Sequence, residues 1–257
     1  MLQQKVEDLI NIITGISTLD HPVKEKITNN LFSINQKVAA AEIFFSLLNQ
    51  VDLSLIYRWN DVSKKYPDVK QQFPITLGKI QIKERHQIPF IIVFSIDNLT
   101  YNLKSAIDII SKLIVEMFEY TMSHDIYYPR DVVTKLLSRP TSCNLRNLWE
   151  TKIGIEPWNI NGWYYVLIKI RNHGTHEDIA NYGNLTPPSF SQLTYSFSAQ
   201  TQLILRDTFF NPGFQDKEMV QCFKKIMGMV ESFIINTLEE LIILLRNNGN
   251  SLPLPHS

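Results

Sequence analysis

Apolar residues recur three and four positions apart over most of this chain, and only 9 of its 257 residues are glycine. That spacing places one apolar stripe along an α-helix, and scarce glycine argues against the turn-rich sequence of a sandwich. A mainly α fold follows. The longest such segment begins at Pro89, a first-turn proline, and continues to about residue 122 through Leu99, Leu103, Ile107, Ile110, Leu113, Ile114, Met117 and Phe118. It is the expected backbone of the fold.

Around it the pattern predicts shorter pieces. Residues 2–14 form an amphipathic helix ended near Gly15, and Pro22 sits where a second helix can begin after Asp20. Residues 38–66 read as one or two helices stopped before Pro67. From 66 to 87 the helical period fails at Pro67, Pro74 and Gly78, leaving a connector with room for a short hairpin near 75–85. Helical turns are expected at 130–137 and 145–149, and 154–162 reads as loop. An aromatic-rich helix covers 163 to about 172. Residues 181–191 read as loop, 198–209 as helix, 216–246 as a long final helix and 247–257 as a frayed tail.

The divisions that follow are an N-terminal helical extension at 1–87 packed on a core, a helical bundle at 88–246 and a flexible tail at 247–257. A hydrophobic fraction of 44% is enough to fill a large core without staples. Cys143 and Cys222 match no metal or redox spacing and read as idle thiols of a reducing compartment. The first residues lack a signal-peptide pattern, and the runs 89–96 and 233–245 are respectively too short and interrupted by Glu239 and Glu240 to span a bilayer. A cytoplasmic protein with no membrane partner is expected. Basic and acidic residues balance at 25 each, so any nucleic-acid surface must be local.

One such surface is suggested by 130–176. There Arg130, Lys135, Arg139, Arg146, Lys152, Lys169 and Arg171 outnumber Asp131, Glu150 and Glu156. Scattered solvated side chains are the competing explanation. The stretch ends in Arg171-Asn172-His173-Gly174-Thr175-His176, at the end of the aromatic-rich helix. Arginine binds phosphate through two parallel hydrogen bonds and offsets charge developing there, while histidine exchanges a proton near neutrality. Together they are suited to metal-free RNA cleavage. On an unbroken helix the two would sit about one and a half turns apart, so a break at Gly174 is expected to aim both at one point. The spacing by itself is common in a chain of this composition; the adjoining Asn172, the helix end and the helical setting give it weight.

Arg171-Asn172-x-x-x-His176 resembles the R-N-x-x-x-H form of the HEPN superfamily, helical proteins that include many ribonuclease toxins and defence effectors. The resemblance implies an up-and-down helical bundle over roughly 89–246, with additional N-terminal helices, and a homodimer whose two motifs line a shared cleft. It also implies the chemistry. The RNA's own 2′-hydroxyl attacks the adjacent phosphate, His176 is the general acid or base, Arg171 stabilises the phosphate, and Asn172 orients the histidine or the scissile group. No metal or other cofactor is called for. RNA is the expected substrate, with an antitoxin or regulatory protein as a further partner; a non-catalytic module that binds RNA or a protein is the alternative.

Other residues enter as support. His173, or one of Asp97, Asn98, Ser105 and Asp108 from the long helix, could hydrogen-bond to the motif, although exposure of one helix face explains the latter four equally. His173, His176, Glu177 and Asp178 also admit a metal cluster, against which stands the lack of a further ligand helix, and both histidines admit a role as polar caps at a helix end. Trp149, Trp158, Trp163, Tyr164 and Tyr165 could stack on bases but suit a core better.

Overall fold

The computed structural model describes residues 1–50, 75–77, 80–82, 87–119, 129, 132–133, 143–153, 163–176, 183–189, 192–197 and 219–249, with the backbone alone at 50, 75–77, 80–82, 87–93, 119, 143, 169, 173–176, 183–189, 192–197 and 219. Among them are six α-helices: α1 (Leu2–Gly15), α2 (His21–Gln50), α3 (Gln87–Glu119), α4 (Cys143–Lys152), α5 (Trp163–His176) and α6 (Met219–Asn247). Two small antiparallel hairpins accompany them, β1 (Ile75–Leu77) with β2 (Ile80–Ile82) and β3 (Gly183–Ser189) with β4 (Gln192–Phe197). The protein is a mainly α helical bundle, as the apolar spacing predicts.

Helix boundaries follow local chemistry. The Asp20 carbonyl accepts the N–H groups of Val23 and Lys24, and Pro22 occupies the first turn of α2, where no intrahelical bond is lost. Pro89 lies in the first turn of α3 for the same reason. At the far end of α6, Gly249 turns the chain at φ +64° while its N–H bonds the Arg246 carbonyl, a conformation that favours glycine.

The chain divides into two compact units, Met1–Ala40 with Asn102–Tyr165 and Met227–Ser257, and Ala41–Tyr101 with Val166–Ile226. The border falls inside α2, α3, α5 and α6.

In the first unit, α1 buries Leu2, Val6, Leu9 and Ile13, and α2 buries Ile27, Leu31, Ile34 and Val38, each at four-three-four spacing. From Ile110 to Phe118 nearly every residue of α3 except Lys112 is buried, so this half is enclosed on all sides. Such enclosure includes a carboxylate. Glu116 is 5% exposed and holds Lys26 Nζ at 2.9 Å, while Asn30 Nδ2 donates to its Oε2 at 2.9 Å and Lys112 stands at 3.9 Å. A second tie to the N-terminal helices is Lys5 with Glu239 at 2.8 Å. Trp149 packs against Phe233 with ring centroids 4.9 Å apart, and Trp163 meets the same ring at 5.5 Å.

The second unit buries Ala41 and Leu48 of α2, Ile96 and Leu99 of α3, Val166, Leu167 and Ile170 of α5, and Cys222, Phe223 and Ile226 of α6. Phe44 and Phe94 meet edge to face at 5.7 Å. The β1–β2 pair, in register Ile75↔Ile82 to Leu77↔Ile80, supplies the short hairpin expected near 75–85.

Several expectations need correction. α2 is one helix from His21 to Gln50 that joins the helix expected after Asp20 to the one expected from residue 38, because Ile27, Leu31 and Ile34 continue the buried stripe between them. α4 extends over ten residues where a single turn is predicted. Residues 181–191, read as loop, contain the whole of β3. Pro187 and Pro188 suggested a break, and they fall where the pairing register is irregular, between Thr186 and Ser189, so the missing N–H donors interrupt the ladder without preventing it. The expected helices over 51–66, 130–137 and 198–209, the loop at 154–162 and the last tail residues lie outside the described residues, apart from Val132 and Val133, which are buried.

Candidate functional site

α5 carries five buried residues, Trp163, Tyr164, Val166, Leu167 and Ile170. Four of these fall at offsets of three, four and seven from Trp163, the stripe legible in the sequence. Beyond this stripe Arg171 is half-buried and Asn172 exposed.

Arg171 Nη1 donates to Asn172 Oδ1 at 3.1 Å. Neighbouring side chains diverge by about 100° on a helix, so this bond requires the long arginine stem to swing around the axis toward residue 172. A guanidinium only donates, which fixes the amide oxygen as the atom facing it.

The backbone stays helical through Gly174 to His176, and the expected break is absent. One glycine weakens a helix by roughly 1 kcal/mol relative to alanine but breaks it only where flanking contacts fail to hold it. The consequence is geometric. Five residues of continuous helix separate positions 171 and 176 by about 140° around the axis, whereas 172 and 176 are one turn apart on the same side. Asn172 stands between the other two. His173 and His176 are described by backbone alone, and Glu177 and Asp178 lie outside the described residues, as do the metal-cluster and helix-cap readings that depend on them. Among the described residues no group of three His, Cys, Asp or Glu side chains is arranged to hold a metal ion.

The four polar candidates on α3, Asp97, Asn98, Ser105 and Asp108, are all half-buried. Asp97 and Asn98 belong to the same unit as Arg171, while Ser105 and Asp108 belong to the other. Asn98 Nδ2 donates to the Phe94 carbonyl of its own helix at 2.8 Å. Asp108 pairs with Lys104 one turn upstream, an i,i+4 pairing readable in the sequence but not weighed there. Its charge, after the larger effect of burial, holds the Tyr164 phenol above its ordinary range.

Trp149, Trp163 and Tyr164 are core residues rather than base-stacking platforms, Tyr165 is half-buried, and Trp158 lies outside the described residues. Of the basic stretch, Arg146 and Arg171 are half-buried and Lys152 is exposed; Lys169 is described by backbone alone, and Arg130, Lys135 and Arg139 lie outside. The Cys222 thiol is free and buried, and burial pushes it above the ordinary range. By length and composition, residues His21–Asn49 of α2 are apolar enough to cross a membrane, with an 18-residue window of mean hydropathy 1.2 that is 28% buried. Core helices meet the same criterion, and Lys26 and Asn30 in this helix engage Glu116.

Comparison of the chain with protein-family models, with characterised proteins and with solved structures returned no match.

Proposed function

We propose that the protein is a metal-independent endoribonuclease of HEPN type, acting in the cytoplasm as a homodimer and held in check by a regulatory or antitoxin protein. The observation that carries this reading is the hydrogen bond from half-buried Arg171 to exposed Asn172, just beyond the buried stripe of α5, with position 176 one turn beyond Asn172. A permanently charged fork and a polar amide at a helix surface suit a phosphodiester.

In this reading the 2′-hydroxyl of the RNA attacks the adjacent phosphorus and the 5′-oxygen leaves, giving a 2′,3′-cyclic phosphate and a 5′-hydroxyl. Arg171 offsets the charge that accumulates on the non-bridging oxygens. His176 takes the proton from the 2′-hydroxyl or returns one to the leaving oxygen. The second copy supplies the other half of the cleft.

A non-catalytic module that binds RNA or a protein is the second reading, favoured by the unbroken helix, which keeps positions 171 and 176 on different sides within one chain. Digestion of RNA by the purified protein, beside Arg171→Ala and His176→Ala, separates the two. Cleavage by the wild type and its loss in both variants is expected; intact RNA with all three proteins would favour binding without turnover.

A further inference from the structure

We infer that α2 carries a dimerisation seam whose occupant is α2 of a second copy of this chain, running antiparallel about a two-fold axis between residues 37 and 38. The inference deepens the homodimer of the ribonuclease reading and rests on it for the choice of a second copy. The surface itself stands on spacing and exposure. Asn29, Phe32, Gln36, Ala39, Ile43 and Ser46 are all exposed and recur at alternating intervals of three and four. They belong to one unbroken helix, so helix geometry alone sets them along one side. That alternation is the repeat of a helix that packs along another helix.

The buried stripe of α2, Ile27, Leu31, Ile34, Val38 and Ala41, lies two residues earlier, about 200° away around the axis. The seam therefore occupies the side of α2 opposite the core, where a surface helix ordinarily carries charged and polar residues. Here Phe32 is 50% and Ile43 61% exposed, and no residue of the seam is charged. The apolar 18-residue window of this helix is only 28% buried.

The order of the seam selects its occupant. In the antiparallel pairing Phe32 meets Ile43 of the second copy, Gln36 meets its Ala39, and Asn29 meets its Ser46, each twice by symmetry. Apolar packs on apolar, a long amide lies over a methyl, and the outer amide finds a hydroxyl. The flanks agree in charge. Glu42 faces Asn35 of the second copy, and Lys26, whose charge Glu116 already meets, faces its Leu47, so no like charges come together. A bilayer suits the seam less, because Asn29, Gln36 and Ser46 would lose their hydrogen bonds to water without replacement.

The test is sedimentation of the full-length protein over a range of concentrations, without RNA. A reversible dimer is expected of the wild type. Phe32→Glu and Ile43→Lys should each weaken it about tenfold or more, since each places an unpaired charge in the seam. Combined in one chain, they set a glutamate against a lysine twice across the seam, and dimerisation should return to within about threefold of the wild type. Within one chain the two positions stand about three turns apart, so the rescue has to come from a second copy. Both sites are exposed, so folding should survive each substitution, which circular dichroism checks.

A wild type that stays monomeric at about 0.1 mM overturns the inference, as does a dimer that neither substitution weakens. Single losses without rescue also overturn it; with flotation of the wild type on mixed phosphatidylcholine and phosphatidylglycerol vesicles, they would give the seam to a bilayer. RNA cleavage is read separately. Cleavage without rescue removes the seam and leaves the ribonuclease reading standing, and rescue with RNA left intact does the reverse.

Discussion

Trp149 donates its indole N–H to Thr237 Oγ1 at 3.2 Å, and the same hydroxyl donates to the Phe233 carbonyl at 2.8 Å. Both hydrogen-bonding roles of the threonine are filled inside a core where Trp149 and Thr237 are each 0% exposed. Thr237→Val keeps the shape but strands the indole N–H, and should lower stability by about 1–3 kcal/mol. Trp149→Ala removes the contact with Phe233 as well and should cost about 3–5 kcal/mol. Urea unfolding followed by circular dichroism checks the order of the two losses.

Glu116 predicts a sharper contrast between partners at different depths. Glu116→Ala deprives Lys26 and Asn30 of their acceptor inside the first unit. The expected loss is about 2–3 kcal/mol, below the ~3–5 kcal/mol of a fully buried pair because Lys26 still reaches water. Lys112→Ala, by contrast, removes a half-exposed partner at 3.9 Å and should change stability by less than about 1 kcal/mol. Chemical denaturation midpoints of the two variants give the comparison directly.

Alkaline pH should destabilise the protein through Tyr164 and Cys222. Burial raises both groups in the folded state, so the unfolded chain loses its protons first as pH rises. Their contribution is complete below the ordinary thiol and phenol values and declines above them, from about pH 9 for the thiol and about pH 10 for the phenol. Tyr164→Phe should flatten the fall above about pH 10, and Cys222→Ala the fall that begins near pH 9. Urea midpoints at a series of pH values show whether each slope changes as assigned.

Chelation offers a test of the chemistry. An enzyme that uses the RNA's own hydroxyl and two side chains needs no divalent ion, so RNA cleavage in excess chelator should match that in its absence. Activity lost with chelator and restored by one metal ion per chain would instead favour the cluster of His173, His176, Glu177 and Asp178.

The bundle was legible because its helices carry buried stripes that repeat at three and four, as in Leu2, Val6, Leu9 and Ile13. Pro22 and Pro89 marked helix starts correctly, since a proline in the first turn costs no bond. Pro187 and Pro188 misled in the other direction. Leu193, Tyr195 and Phe197 alternate as a strand signal for β4, in a segment left unassigned between the loop at 181–191 and the helix at 198–209. At the site, the helix end and the Arg171–Asn172 neighbourhood could be read from order along the chain. The Arg171 bond to Asn172 could not, because it depends on how a long side chain bends around an axis. The continuity of α5 through Gly174 was likewise hidden, since one glycine is compatible with a break or with none.

The most direct test of the account is the identity of the ends produced when the purified protein meets RNA in excess chelator. The account predicts 2′,3′-cyclic phosphate and 5′-hydroxyl ends from RNA, no cleavage of the matching 2′-deoxy strand, and a fall of about 100-fold or more in rate for His176→Ala. Cleavage of the 2′-deoxy strand at a comparable rate, or RNA left intact by the wild type, would contradict it.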